Sequence, residues 1–181
     1  MSKKIIVCGG DGFCGWPTSL RLSSEGHEIL IIDNFSRRKI DSELNIQSVT
    51  PISSLEERLS EWKNQTNISI NFLKIDISKE YEKLLNSIIK FEPDTIIHFA
   101  EQRAAPYSMK SSWHKRFTIN NNINATNNIL ASIVESKKDI HLIHLGTMGV
   151  YGYGTIGVKI PEGYLNILLK DNSGEYNIQK E

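Results

Sequence analysis

The sequence has little cysteine, no excess charge of either sign and no long apolar run. Each of these features argues against a class of structure or partner. No segment approaches the roughly 20 consecutive apolar residues that cross a bilayer, so we expect no membrane span. Ser2-Lys3-Lys4 leads directly into an apolar run and leaves no room for a signal or transit peptide, so we expect a cytoplasmic protein. Cys8 and Cys14 are the only cysteines and fit no metal or redox spacing, so we expect free thiols and no metal site.

The balance of charge excludes two classes of partner. Lysine and arginine together number 21, as do aspartate and glutamate, which gives a formal net charge of zero. A neutral balance gives no reason to expect nucleic acid or an anionic membrane surface as a partner. The 181 residues are 39% hydrophobic and 23% charged, which is ordinary globular composition and enough for one core.

A glycine-rich stretch near the N-terminus carries the first functional signal. Residues 5–16 read Ile-Ile-Val-Cys-Gly-Gly-Asp-Gly-Phe-Cys-Gly-Trp, an apolar run that breaks into glycines at every third position before a helix-compatible segment. A strand, a tight turn and a helix N-terminus together form an anion site of free N–H groups and a positive dipole end. In this pattern Gly9 makes the turn, Gly12 lets a pyrophosphate touch the backbone, and Gly15 lets the helix pack on the strand.

An acid after the next strand strengthens this interpretation. Asp33 ends the apolar run 28–32 and lies 21 residues after Gly12. A carboxylate at this distance accepts hydrogen bonds from both adenine-ribose hydroxyls of a dinucleotide. The alternative is that Asp33 is only a turn former before Asn34. Strand, glycines, helix, strand and acid together predict dinucleotide binding.

Strands and helices alternate along the chain, which predicts an α/β fold with a Rossmann-type, doubly wound parallel sheet. The apolar patterns predict strands at 5–8, 28–32, 68–75, 95–100 and 140–145. They predict helices at 13–24, 54–66, 81–89 and 113–137. The basic stretch 36–39 is interpreted as a polar loop near the adenosine.

The C-terminal part differs in character. Residues 149–157 hold four glycines and predict a loop, and 164–169 and 176–179 predict a hairpin around a turn at 171–174. We therefore expect a dinucleotide-binding domain at 1–148 and a loop and hairpin at 149–181. A doubly wound domain that ends in a hairpin lacks its far edge, so we expect an N-terminal portion of a longer enzyme, truncated before the C-terminal strands and the substrate domain.

Longer strings resemble a specific family. The glycine pattern, Asp33-Asn34 and Asp76-Ile77 resemble the extended short-chain dehydrogenases/reductases, which include the NAD-dependent nucleotide-sugar epimerases and dehydratases. The strings Gly-Gly-Asp-Gly-Phe-Cys-Gly-Trp (9–16), Phe-Ala-Glu-Gln-Arg-Ala-Ala-Pro-Tyr-Ser-Met (99–109) and Leu-Gly-Thr-Met-Gly-Val-Tyr-Gly (145–152) resemble the UDP-sulfoquinovose synthases. That resemblance implies tightly bound NAD, UDP-glucose and sulfite as substrates, and a 4-keto sugar intermediate. We also expect a homodimer of the full-length protein and no turnover by these 181 residues alone.

The resemblance assigns cofactor contacts one position at a time. It assigns the pyrophosphate turn to Gly9, Gly12, Phe13, Cys14 and Gly15, and the adenosine pocket to Asp33, Asn34 and Arg37. It assigns the flank of the adenine to Asp76 and Ile77, the end of the fourth strand to Phe99, Ala100 and Glu101, and the border of the nicotinamide to Asn121. Two of these have ordinary alternatives, since Arg37 suits a solvated charge run and Asn121 suits helix capping.

The resemblance also assigns two residues to the sugar. Arg103 corresponds to a residue near the sugar and sulfite, and its planar fork suits an oxyanion; the alternative is a surface loop arginine. Thr147 corresponds to the hydroxyl that bonds the sugar 4-hydroxyl and passes its proton toward a tyrosinate base; the alternative is a turn residue. His141 and His144 point to opposite faces of a strand, which argues against a metal pair.

Two departures from the family pattern leave other functions open. Val150 stands where the sulfoquinovose synthases have an acid, which favours an ordinary epimerase or dehydratase. Tyr176 and Lys180 have the family's Tyr-x-x-x-Lys spacing, but their predicted hairpin context makes them a chance match, and we expect the true base beyond residue 181. A missing base would also suit an NAD-binding module without catalysis.

Overall fold

The computed structural model describes residues 1–102, 105–147 and 167–178, which fall into two compact units. The first unit spans Met1–Leu145 and the second spans Gly146–Glu181. Three residues discussed above lie outside the described residues, namely Arg103, Val150 and Lys180.

The first unit is built on a five-stranded parallel sheet. Its strands are β1 (Lys4–Cys8), β2 (Glu28–Asp33), β3 (Asn71–Lys74), β4 (Thr95–His98) and β5 (His141–His144). They lie in the order β3-β2-β1-β4-β5, and every neighbouring pair is parallel. The chain moves outward from β1 to one edge and then crosses to the other side, so the predicted doubly wound sheet is confirmed.

Helices connect the strands and cover both faces of the sheet. They are α1 (Gly15–Ser24), α2 (Ser36–Glu43), α3 (Leu55–Thr66), α4 (Tyr81–Phe91), α5 (Ala105–Ser108) and α6 (Ser112–Ser136). The four predicted helices are confirmed. At the start of α3, the Ser54 side chain accepts from the Glu57 amide and the Glu57 carboxylate accepts from the Ser54 amide, which is a capping box.

The prediction of a loop at 36–39 is wrong, because these residues form the first turn of α2. The Asn34 side chain accepts a hydrogen bond from the Ser36 amide at 2.8 Å, which forms an Asx turn that leads into the helix. Ile40 is buried, and Arg37 forms an ion pair with Asp41 one turn later, at 3.0 Å. One apolar anchor in eight residues is too weak a periodic signal to reveal a helix.

The core lies on both faces of the sheet, because alternate strand residues point in opposite directions. Ile6 and Ile32 pack on the face covered by α4 and α6, while Ile5 and Ile31 pack on the face covered by α1 and α3. At the outer edge, β5 is less covered, and Ile143 is 42% exposed. Among the residues that the structure describes, no helix is long and apolar enough to cross a membrane.

The second unit contains an antiparallel hairpin of β6 (Ile167–Asp171) and β7 (Gly174–Ile178). The predicted hairpin is confirmed, with its turn between Asp171 and Gly174. Tyr176 lies in β7 opposite Leu169, so its backbone is extended rather than helical. The predicted loop at 149–157 lies outside the described residues.

Candidate functional site

The glycine turn follows β1 at the carboxyl end of the sheet. Gly9 has φ +82°, and a Cβ there would lie 2.8 Å from the carbonyl carbon of Phe99, which follows β4. A Cβ on Gly15 would lie 2.2 Å from the Gly9 carbonyl oxygen, so only glycine lets α1 begin so close to the turn. Close contacts with neighbouring backbone therefore require glycine at positions 9 and 15, as the pattern predicts. The loops that follow β1 and β4 lie next to each other.

The start of α1 presents backbone N–H groups for an anion. Within the described part of the chain, the amides of Phe13, Cys14 and Gly15 have no hydrogen-bond acceptor, whereas the Gly12 amide bonds the Gly9 oxygen at 3.1 Å. Phe13 and Cys14 are exposed, whereas Gly15 is buried. With the positive end of the helix dipole behind them, these three amides fit a pyrophosphate.

Asp33 lies directly beside this turn. Its carboxylate accepts hydrogen bonds from the Asp11 amide at 2.9 Å and the Phe35 amide at 2.7 Å. Burial raises the pKa of Asp33 despite these hydrogen bonds. Two oxygens offer about four acceptor positions, so the carboxylate keeps the capacity to accept from ribose hydroxyls.

A charged cluster around Asp11 was not found from the sequence. The Asp11 carboxylate accepts two hydrogen bonds from Arg38, at 2.6 and 2.8 Å, and one from Arg58. Arg38 is therefore the arginine of this segment that reaches the glycine turn, whereas Arg37 pairs with Asp41 on α2. The partners are 27 and 47 residues from Asp11 in the chain, so no local pattern indicates them.

The residues assigned to the adenine flank follow β3. Burial alone would raise the pKa of Asp76, but hydrogen bonds from Ser78 and the charge of Lys79 outweigh it, and the pKa is lowered. Ile77 is packed in the core, and its carbonyl accepts a hydrogen bond from Asn128 at 2.8 Å. The Asp76 carboxylate therefore stays ionised at neutral pH, while the Ile77 side chain contributes packing.

The loop after β4 is held by α6. The side chain of Asn122 accepts from the Gln102 amide at 2.8 Å and donates to the Gln102 carbonyl at 2.9 Å. Asn121 donates to Asn122 and also lines a cavity of about 350 Å³ with Trp113 and Phe117. Asn122 was not singled out from the sequence, because the backbone it supports is 20 residues away.

Two histidines and Glu101 form a second cluster at the ends of β4 and β5. A Glu101 oxygen lies 3.7 Å from Nε2 of both His98 and His144, and the three groups offer ligand atoms within 4.8 Å of one another. However, the Ala100 amide donates to Nδ1 of His98 at 3.3 Å, so Nε2 carries the proton of the neutral ring and donates to Thr126 at 3.2 Å. A histidine that binds a metal through Nε2 must leave that nitrogen unprotonated and donate from Nδ1, which is not the case here.

The His98 ring is almost completely buried, and this sets its charge. Burial, with a smaller effect from His144, lowers the pKa of His98 to about 4. Thr126 in turn approaches Glu101 at 3.4 Å, so a chain of polar groups runs from the buried histidine to the strand end. Phe99 and Ala100 lie in this loop, where the ligands of open parallel sheets bind.

Thr147 follows β5 by three residues and is exposed. It belongs to the second unit, which begins at Gly146. Its place directly after a strand end agrees with the position that the sequence predicts, and its role stays a prediction.

Comparisons with known proteins identify what this arrangement is similar to. The family described as "NAD dependent epimerase/dehydratase family" matches residues 5–180. A chloroplastic UDP-sulfoquinovose synthase from Spinacia oleracea is 42% identical over 165 residues, and one from Sulfolobus acidocaldarius is 40% identical over 159 residues. These matches cover 91% and 88% of this chain but only 34% and 40% of the two relatives, so the chain spans about a third to two fifths of their length.

Solved structures show the same fold. UDP-glucose-4-epimerase from Stenotrophomonas maltophila, solved with NAD and formylated UDP-arabinopyranose, matches with a TM-score of 0.65 and 18% identity. The match covers 86% of this chain and 40% of that one. At this level of identity the likeness concerns the Rossmann-type architecture alone.

Proposed function

This chain belongs to the NAD-dependent epimerase/dehydratase family, and we propose that it is the cofactor-binding portion of an enzyme that makes UDP-sulfoquinovose from UDP-glucose and sulfite. The family membership confirms the predicted enzyme class and NAD as the cofactor of that class. The observation that carries the finer proposal is the identity of 40% or more to UDP-sulfoquinovose synthases from a plant and an archaeon.

The proposed cofactor contacts follow from the geometry of the turn. The amides of Phe13, Cys14 and Gly15 bind the pyrophosphate, because they have no acceptor among the described residues and lie at the positive end of the helix dipole. Asp33 accepts from the adenine-ribose hydroxyls, and Asp76 lies on the adenine side after β3. NAD, when bound, supplies a reversible acceptor for the hydride of sugar C4.

In the proposed reaction, Thr147 holds the sugar 4-hydroxyl and passes its proton toward a tyrosinate in the rest of the enzyme. The C4 ketone acidifies the C5 proton, so water leaves across C5–C6. Sulfite then adds at C6, a proton adds at C5, and the hydride returns to C4. Arg103 binds the sulfur oxyanion through two parallel hydrogen bonds.

A homodimer of the full-length protein completes the proposal. The α6 helix exposes apolar side chains spaced along its length, namely Ile119, Ile123, Leu130 and Val134. Exposed apolar stripes of this kind are typical of protein interfaces.

Cys8 and Cys14 are free thiols, as the predicted reducing, cytoplasmic setting requires.

Purified full-length protein tests the reaction when it is incubated with UDP-glucose with and without sulfite. A UDP-sulfosugar that forms only when sulfite is present supports the proposal. Inversion at C4 without sulfite would make the enzyme an ordinary epimerase, which Val150 favours. NAD binding without any turnover would leave a cofactor-binding module.

A further inference from the structure

The adenosine end of the proposed cofactor site contains more positive charge than NAD requires. Arg38 and Arg58 approach the glycine turn from α2 and α3, and Arg37 precedes them. An arginine in this region is the residue that accommodates the 2′-phosphate of NADP. A site that prefers NAD must therefore keep these guanidinium groups from that phosphate.

The Asp11 carboxylate occupies both arginines. Arg38 contacts both of its oxygens through Nε and Nη2, and Arg58 contacts one of them through Nη2. The paired edge of a guanidinium that binds a carboxylate in this way is the same edge that binds a phosphate. The Asp11 side chain is only 4% exposed, so little water competes for these hydrogen bonds.

The position of Asp11 couples this ion cluster to the ribose-binding carboxylate. Its amide donates to Asp33 at 2.9 Å, so the side chain that recognises the ribose and the backbone of Asp11 are in direct contact. Arg58 is further restrained, because its guanidinium stacks 4.4 Å above the ring of Trp16. Two carboxylates and two guanidinium groups thus balance each other beside the expected 2′-position.

We propose that Asp11 is a specificity-determining residue that holds Arg38 and Arg58 away from a cofactor 2′-phosphate, so that the site selects NAD. This inference rests on the proposed NAD site. Under this proposal Asp33 accounts for only part of the preference for NAD over NADP. The repulsion between its carboxylate and a 2′-phosphate would be offset by attraction to two arginines if those arginines were free.

The test compares the dissociation constants of NAD and NADP for the full-length protein by calorimetric titration. Asp11→Asn removes the charge and keeps the size, so the freed arginines should tighten NADP binding at least about tenfold while NAD binding changes only a few-fold. Asp11→Glu keeps the charge and should keep the wild-type ratio. Glu25→Gln is the matched control, because it releases Arg21 in the last turn of α1, at the end of the helix away from the glycine turn, and should leave the ratio unchanged.

The outcomes separate this inference from the proposed function. Wild-type protein that does not bind NAD would end the proposed function itself. Wild-type protein that binds NAD, together with an unchanged NAD-to-NADP ratio in Asp11→Asn, would overturn the role of Asp11 alone. If Asp11→Asn does not fold, the Asp33→Asn variant tests the inference instead. Asp11 still holds the two arginines in that variant, so the protein should bind NADP at least about tenfold more weakly than NAD. Equal affinities for NAD and NADP in Asp33→Asn would overturn the inference.

Discussion

Replacing Gly15 by alanine should disable the pyrophosphate turn, and the size of the effect follows from one contact. The added Cβ would lie 2.2 Å from the Gly9 oxygen, 2.7 Å from the Gly10 Cα and 2.8 Å from the Gly9 carbonyl carbon. All three are backbone atoms, so no side-chain rotation relieves the contact, and the turn or the helix must move by about 1 Å to restore ordinary packing distances.

Two opposing effects decide the stability of this variant. Alanine in a helix is favoured over glycine by about 0.5–1 kcal/mol. Overpacking against rigid backbone costs about 1–3 kcal/mol, so the overlap prevails and the net result is destabilisation. NAD binding should fall at least about 100-fold, because a displaced turn loses charge-assisted amide hydrogen bonds worth about 1.5–3 kcal/mol each.

The assay pairs urea unfolding with NAD titration of the full-length protein. Gly26→Ala is the matched control, because Gly26 has φ +87° but open space around its Cβ position. Its left-handed backbone should cost about 1–2 kcal/mol of stability without changing NAD affinity. Wild-type NAD affinity in Gly15→Ala would refute the steric reasoning and the anion site together.

The remaining predictions concern one hydroxyl, one buried histidine and two thiols. Thr147→Val should lower the rate with UDP-glucose about 10²–10⁴-fold in full-length enzyme while NAD titration stays unchanged; retained activity would make Thr147 a turn residue. The pKa of His98 is lowered to about 4 in the folded state, so the unfolded chain binds the extra proton first and stability should fall as pH drops from about 6.5 toward 4. Urea unfolding of wild type and His98→Gln across this range checks it, because the slope should weaken in the variant. Maleimide should label exposed Cys14 and spare Cys8, because burial raises the pKa of the Cys8 thiol to about 12. Bound NAD should protect Cys14 from labelling. Labelling of Cys8 in the folded protein would contradict its burial.

Local and periodic features were predictable from the sequence. The capping box of Ser54 and Glu57 spans three residues, and the strands are short apolar runs bounded by turns, so each signal is complete within a few positions. Gly9 and Gly15 were predictable for the same reason, since the pattern that requires them is local. In contrast, α2 has little periodicity, because Ile40 is its only buried residue.

The contacts that the sequence did not indicate join distant positions through the fold. Asp11 meets Arg58 of α3, and Gln102 meets Asn122 of α6, because the fold brings helices and strand ends that are far apart in the chain together at the carboxyl edge of the sheet. His144 approaches Glu101 for the same reason, as β4 and β5 are neighbours. The predicted sheet brings these segments to one edge, but no local pattern in the sequence indicates which side chains there come within contact distance.

The central place of β1 has a consequence for synthesis of the chain. Its partner on one side, β2, begins at Glu28, but its partner on the other side, β4, begins only at Thr95. At about 5–20 residues per second, a ribosome takes roughly 3–13 seconds to add the chain between the start of β2 and the start of β4. During that interval the open edge of a nascent β1–β2 pair is apolar and unpaired. We therefore expect a molecular chaperone to bind this protein most readily before β4 emerges.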